Sequence, residues 1–250
     1  MQAYFLRPFS IALLTFCAAI TQADAQESSV PKYKFNLPPS AELQYAVKAK
    51  QSGLSIEGET LTKWKAADGK FSLSNEVRAM LVGKILETTS EGGVDDYGLA
   101  PTSYTEKRFH KAATTASFNR ETKAISFSAS DLTYPIKGGE QDRNTAIWQL
   151  LSVARAAPAK FKPGAEWPFF VVGQHDADPW TFKTLRMEKI KTPLGDLSAL
   201  HLSRSPQPDK KGQQVDIWIA PTLDWYPVRI RYTDPDGEFI EQTLSSVKKL

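Results

Sequence analysis

Val228-Arg229-Ile230-Arg231-Tyr232-Thr233 alternates apolar and polar side chains one for one, and Asp234-Pro235-Asp236-Gly237 follows directly. Successive side chains of a strand point to opposite faces, so this spacing marks a half-buried strand. In the four residues after it, proline pre-sets one turn dihedral and glycine accepts the positive one. Glu238–Leu244 is then the returning strand of a hairpin. The rest of the chain repeats this unit of strand, tight turn, strand.

Leu43, Tyr45 and Val47 alternate with Glu42, Gln44 and Lys48. Similar strands are predicted at Leu54–Trp64 and Phe71–Val77, with Asp68-Gly69 as a hairpin turn between them. The apolar stretch Met80–Thr89 is predicted to be a further strand. Gly92-Gly93 and Tyr97-Gly98 punctuate the next turns, and Thr102–Phe109, Thr115–Asn119 and Ala124–Ser130 continue the pattern. In the second half, Glu166–Val172, Trp180–Met187, Leu197–Leu202 and Val215–Ala220 read as strands.

One helix interrupts this series. Asp142 suits its start, because a carboxylate there accepts from the free amides of the first turn. Ile147, Leu150, Leu151 and Ala154 recur at helical spacing, and Pro158 ends the run. The helix Arg143–Ala156 is expected to press this stripe onto a sheet, with Trp148 at the margin of the contact. The Pro158–Gly164 linker is read as lying within a single domain.

The fold class is therefore mainly β. About eleven or twelve short strands joined by turns make a curved antiparallel meander, forming a barrel or half-barrel with one packed α-helix. Residues 1–25 are read as a signal peptide, 26–40 as an extended leader rich in proline, and 41–250 as a single β-rich domain. Arg7 supplies a positive start, Phe9–Ile20 is apolar, and Ala23-Asp24-Ala25 places small residues where a signal peptidase reads them. Cleavage after Ala25 and a periplasmic location are the expectation. The apolar run is too short to span a bilayer as a helix, and no later stretch exceeds it, so no transmembrane segment is expected in the mature chain.

The chain of 250 residues carries a formal net charge of +3. Arg7 and Asp24 cancel, so the segment after Ala25 keeps that balance. Such a mild excess does not argue for nucleic acid, and none is expected as a partner. The one cysteine, Cys17, falls within the signal, which leaves no disulfide or thiol chemistry for the mature protein.

Chemical motifs are sparse. His201 alternates with Leu200 and Leu202 and reads as the solvated face of a strand. His110 lies beside Arg108 and Lys111, as in an exposed turn. His175-Asp176-Ala177-Asp178 brings an imidazole near two carboxylates, a set able to orient a base or bind a divalent cation. Its spacing matches no established ligand pattern, and Gly173 and Pro179 make it an ordinary turn. Asp234-Pro235-Asp236-Gly237 matches half of a calcium loop, but Ser245 stands where the loop needs a glutamate. Neither G-x-S-x-G nor a Gly-rich phosphate loop occurs. Gly138-Gly139 precedes the helix, whose start is able to hold an anion, but Asp142 competes with it. No catalytic residue, metal site or cofactor is predicted.

Six tryptophans are present. Trp218 points opposite to Ile217 and Ile219, so Val215–Ala220 is apolar on both faces. One face is expected to pack the helix and the other to line a cavity for an acyl chain. Trp148, Trp180, Trp218 and Tyr226 are the candidate ligand-binding residues.

Gly98-Leu99-Ala100-Pro101, Phe118-Asn119-Arg120, Gln141-Asp142-Arg143, Asp176-Ala177-Asp178-Pro179-Trp180-Thr181-Phe182, Trp218-Ile219-Ala220-Pro221 and Tyr226-Pro227-Val228-Arg229-Ile230-Arg231 form a distinctive set in order. Together they resemble domain of unknown function 3108, a family of exported proteins of Gram-negative bacteria. The resemblance spans most of Ala41–Leu244. It implies a periplasmic, mostly β protein and no particular reaction. A looser analogy runs to periplasmic lipoprotein carriers, whose unclosed β-barrel covers a helix and shelters acyl chains.

The expected function is a non-enzymatic periplasmic protein that binds a lipid or acyl chain in a curved sheet, with a lipid or lipoprotein as partner. Two alternatives stand beside it. One is an envelope scaffold or assembly factor with an envelope protein as partner. The other is a metal-dependent hydrolase built on His175, Asp176 and Asp178.

Overall fold

The computed structural model describes residues 30–206 and 212–250. The signal-peptide reading of residues 1–25 therefore lies outside the described residues. The strands are β1 (Ala41–Gln51), β2 (Leu54–Ala67), β3 (Lys70–Ala79), β4 (Gly83–Asp95), β5 (Gly98–Arg108), β6 (Thr114–Asn119), β7 (Ala124–Phe127), β8 (Ser130–Pro135) and β9 (Gln141–Asp142). After the helix α1 (Thr145–Ala156) come β10 (Glu166–Val172), β11 (Ala177–Thr192), β12 (Gly195–Arg204), β13 (Gln214–Ile219), β14 (Pro227–Thr233) and β15 (Phe239–Lys249).

All fifteen strands belong to one sheet, in the order β8-β7-β6-β5-β4-β3-β2-β1-β15-β14-β13-β12-β11-β10-β9. Two antiparallel meanders thus leave a central seam, where β1 pairs with β15 and Ala41 stands opposite Lys249. The one departure from the meander is β9, which pairs in parallel with β10 across α1. The sheet is curved and unclosed, as a wide twisted sheet with bulged strands should be. Register shifts at Gln44/Tyr45, Val77/Arg78, Glu91/Gly92 and Thr184/Met187 mark such bulges.

Alternation decides which residues enter the core. Leu43 and Tyr45 of β1, Trp64 of β2, Leu73 of β3, Phe182 of β11, Leu202 of β12, Ile217 of β13 and Val228 of β14 all point inward and are buried. They enclose α1, whose residues from Thr145 to Ala154 are all buried. Trp148 is not at the margin of this contact. It is central, stacked on Trp64 with ring centroids 4.5 Å apart. The sheet and residues 30–40 together leave Thr145 to Ala154 without a solvent-facing side, which a single stripe of apolar spacing does not announce. Before β1, residues 30–40 lie extended over the core, with Tyr33, Phe35 and Leu37 half-buried. The Asn36 amide donates to the Ser152 carbonyl of α1, and Trp64 Nε1 and the Tyr226 hydroxyl donate to the Pro38 and Pro39 carbonyls.

A second, smaller cluster joins Tyr104, Ala116, Phe118 and Ile125 to Val172 and Ala177. On β10, Trp167, Phe169 and Val171 face the α1 core, while Phe170 and Val172 face this second cluster. The β5–β8 arm therefore laps over the outer face of β10. The overlap is closed by side chains such as Tyr134 and Phe170, 5.7 Å apart, and not by a hydrogen-bonded ladder.

Met80–Val82 is a correction to the sequence reading. The apolar run expected to be strand is a hairpin tip, and β4 begins only at Gly83. Among the described residues no helix is long and apolar enough to cross a membrane.

Candidate functional site

The start of α1 divides the concave face in two. Below it, toward the Pro227 end of the sheet, the interior is packed. Above it, toward the β1–β2 and β3–β4 turns, the inward positions change character.

The dividing layer is polar. Asp142 is fully buried, and its Oδ1 accepts from the Asn144 and Thr145 amides and from the Ser90 hydroxyl. This is the amide-capping role expected of it, although the first helical residue is Thr145 and not Arg143. Burial pushes the Asp142 carboxyl up to about 6, against the lowering effect of those hydrogen bonds. From Asn144 the network continues through Ser90 and Thr88 of β4 and Asn75 of β3 to Thr62 of β2. Thr60 Oγ1 and Asp142 Oδ2 are buried and have no partner in this layer. The backbone amides of Lys137 and Gly138 are already taken by the Glu140 carboxylate, so the glycine pair ahead of α1 serves an internal anion.

Above this layer the inward residues are Val47 and Ala49 of β1 and Val77 and Ala79 of β3. Each is only 7 to 9% exposed, yet none belongs to either packed cluster. Across the seam, Ile240 of β15 stands opposite Ala49, and Tyr232 of β14, opposite Ile240, packs against the main core beside Val215. Burial pushes the Tyr232 hydroxyl up to about 12, so it stays neutral. We term this inward-facing apolar strip, which lies beyond the layer of hydroxyls and amides, the trough. Charged groups of both signs border it. Arg204 lies 4.4 Å over the Trp180 ring, and burial depresses its guanidinium while Asp178 opposes that shift. Glu106, nearly buried, accepts from the Tyr104 hydroxyl and pairs with Arg108. Surface clefts lie elsewhere among the described residues. One of about 760 Å³ runs beside Tyr33, Phe35 and Asp95, and one of about 360 Å³ lies between Pro163 and Arg186.

The four residues singled out from sequence are distributed over three places. Trp148 and Tyr226 meet in the packed base, with centroids 6.1 Å apart. Trp180 flanks the trough beneath Arg204. Trp218 lies on the outer face of β13, stacked on His201 at 4.2 Å and donating to Glu188. There His201 is not solvated. Its ring nitrogens meet Glu188 at 3.2 Å and Asp216 at 2.9 Å, and its side chain is only 13% exposed. Burial alone raises the Glu188 carboxyl, but hydrogen bonds from Trp218 and His201 bring it below the usual range. Asp216 behaves in the same way, through His201, Ser203 and Gln214. The second apolar face of β13 is thus covered by charged side chains.

His175 and Asp176 are exposed at the β10–β11 turn, and among the described residues no cluster of His, Asp or Glu is arranged to hold a metal ion. The trough residues carry no motif. Their only trace in the sequence is the alternation of β1 and β3 continuing past the level of the helix with small side chains.

A family profile described as protein of unknown function (DUF3108) matches residues 44–245. No curated protein matches the chain. Among solved structures, a β-barrel-like protein of domain of unknown function DUF1849 from Brucella abortus is similar at a TM-score of 0.57 and 9% identity, over 86% of this chain and 99% of that one. A protein from Bacteroides fragilis described as exported and of YmcC-like fold is similar at a TM-score of 0.37 and 7% identity, over 88% and 100% of the two chains. A domain from Vibrio parahaemolyticus described as outer membrane lipoprotein-sorting is similar at 0.28 and 8% identity, over 84% and 85%. Only the first is close enough to speak to the fold, and it agrees with the unclosed barrel.

Proposed function

We propose, from the premise that the chain belongs to the DUF3108 family of proteins of unknown function, that it is a non-enzymatic, extracytoplasmic binding protein for an acyl chain. The single observation that carries this reading is the trough. Val47, Ala49, Val77 and Ala79 turn inward there without joining a packed cluster. A guest that parts these strands' side chains and covers the apolar surface so opened gains roughly 25 cal/mol for each Å² kept from water. The polar layer around Asn144 and Ser90 stops such a guest from entering the packed base. The N-terminal sequence supports the extracytoplasmic address.

Native mass spectrometry of protein purified without detergent tests this. A bound species with the mass of a fatty acid or phospholipid is expected, together with uptake of cis-parinaric acid by stripped protein. Val77→Asp and Ala49→Phe, which charge and fill the trough, should each abolish uptake while melting cooperatively. Bare protein that takes up no parinaric acid overturns the proposal. Uptake that both variants retain also overturns it.

An envelope scaffold is favoured by one different observation. β8 ends the sheet with an unpaired edge, and its Leu132 is 52% exposed. In-cell photocrosslinking from position 132 should then trap one protein partner in stoichiometric amounts, and a blank lane removes that reading.

A further inference from the structure

Three neighbouring turns at the β1–β2 end of the sheet share a composition that neither the fold nor the trough requires. Met80, Leu81 and Val82 at the β3–β4 tip are 76, 99 and 52% exposed. Leu54 at the β1–β2 tip is 66% exposed, and Phe109 at the β5–β6 tip is 47% exposed. The tips are neighbours: the Met80 amide donates to the Glu57 carbonyl of β2, and the Phe109 amide to the Ile85 carbonyl of β4. An exposed apolar rim of this kind is unusual on a protein that meets only water.

Each tip is also flanked by cations. Lys48 and Lys50 precede Leu54, Arg78 and Lys84 bracket Met80–Val82, and Lys107, Arg108 and Lys111 bracket Phe109. Arg78, Lys84 and Arg108 pair with Glu76, Glu87 and Glu106. Among the described residues Lys48, Lys50, Lys107 and Lys111 form no ion pair, although Lys48 stands opposite Glu57 and Glu241 and Lys107 opposite Glu87 in the strand register. The β14–β15 turn lies at the same end, since Phe239 stands opposite both Thr233 and Lys50, but it does not share this character. The β14–β15 turn carries Asp234, Asp236 and Glu238, and the β4–β5 turn at the opposite end of the sheet carries Asp95 and Asp96.

Apolar side chains projecting from turns that also carry unpaired lysines suit an anionic lipid surface. The hydrocarbon groups enter the interface while the cations stay among the head groups. We propose that the β1–β2, β3–β4 and β5–β6 tips form a docking surface for an anionic phospholipid bilayer, with Leu81 and Phe109 inserting. This docking stands without the acyl-chain reading.

The test uses the exported protein, its intact mass recorded, in flotation with vesicles of phosphatidylethanolamine and phosphatidylglycerol at 3:1. Binding is expected at low salt. It should weaken at least tenfold with vesicles of phosphatidylcholine alone, and severalfold at 0.5 M NaCl, where charge attraction is screened. L81D combined with F109D should lose binding at least tenfold, as should K107E combined with K111E, while Leu194→Asp at the opposite end should bind as wild type. All four tip positions are exposed, and unchanged melting curves confirm folding. An environment-sensitive dye attached at Leu81→Cys should shift blue on vesicle addition, and one at Leu194→Cys should not. Absence of flotation overturns the proposal. Flotation that the tip variants retain, or that ignores lipid charge, also overturns it. Parinaric acid uptake is read separately, so a failure here leaves the trough reading intact, and the reverse holds.

Discussion

Gly98 shows how far one residue's requirements extend. Its φ of +110° is unfavourable for any other L-residue, and a Cβ there would lie 2.3 Å from the Gln149 side-chain amide. That amide joins the β4–β5 turn to α1, accepting from the Leu99 amide and donating to the Tyr97 carbonyl. Gly98→Ala should therefore destabilise the protein by about 2–4 kcal/mol, through strain and the loss of both bonds. Urea unfolding measures this, and a loss below about 1 kcal/mol contradicts the clamp. The turn at Tyr97-Gly98 was readable from the sequence, but its partner was not, because Gln149 lies 52 residues beyond Tyr97 along the chain. Asp142 carries a pH signature. Its folded value of about 6 lies above the ordinary 3.8, so between those values the folded state holds a proton that the unfolded state has released. The stabilisation is present below about pH 4 and is lost as pH rises through 6, by up to roughly 3 kcal/mol. Asp142→Asn should remove this decline. Denaturation at pH 4.5 and 7.5 should show the wild-type-minus-variant difference falling with pH, and a constant difference contradicts the assignment. Glu188 and Asp216, both held low, act with the opposite sign and lose their contribution only as pH falls below the ordinary carboxyl range.

At the scale of elements, alternation was a faithful guide wherever one face meets the core. β10 occupies the span that its pattern predicts, and β14 and β15 meet at the turn that Asp234–Gly237 specifies. Reading failed where apolar residues serve something other than the core. Met80-Leu81-Val82 has the composition of a strand start, yet its side chains face solvent at a turn, so hydrophobicity alone misplaced it. The two-residue β9 has no period to detect. In β8, Leu132 is exposed and only Tyr134 is half-buried, which leaves no apolar stripe. Trp180, Trp218, Trp148 and Tyr226 look alike in sequence, and only the register of the paired strands separates outer face, trough and base. The joint between α1 and the sheet yields an element-scale prediction. Asn144 Oδ1 accepts from Asn75 and Thr88, and its Nδ2 donates to Ser90, tying the helix start to β3 and β4. Asn144→Ala leaves Asn75, Thr88 and Ser90 short of a partner, the last two of them buried. It should cost about 2–3 kcal/mol by thermal or urea unfolding. A neutral outcome means that water replaces the amide in the polar layer.

For the whole molecule, the decisive fact is that the sheet rolls without closing. Its central seam, β1 against β15, is a long continuous ladder over the α1 core. The β6–β8 end of the roll is held differently, by short ladders and by the small cluster that Phe170 and Val172 make with Phe118, Ile125 and Tyr134. Opening free energy should therefore be uneven, highest at the seam and lowest in the overlapping arm. Phe170 touches only the arm side, since its neighbours Phe169 and Val171 face α1. Phe170→Ala removes a half-buried ring from the overlap and should lower the arm's opening free energy by about 2 kcal/mol. Amide exchange in β6, β7 and β8 should then accelerate roughly thirtyfold, while amides of β1, β2 and β15 keep their wild-type rates. A uniform acceleration over both regions means that the roll opens as one cooperative unit, and that the overlap is as firmly held as the seam.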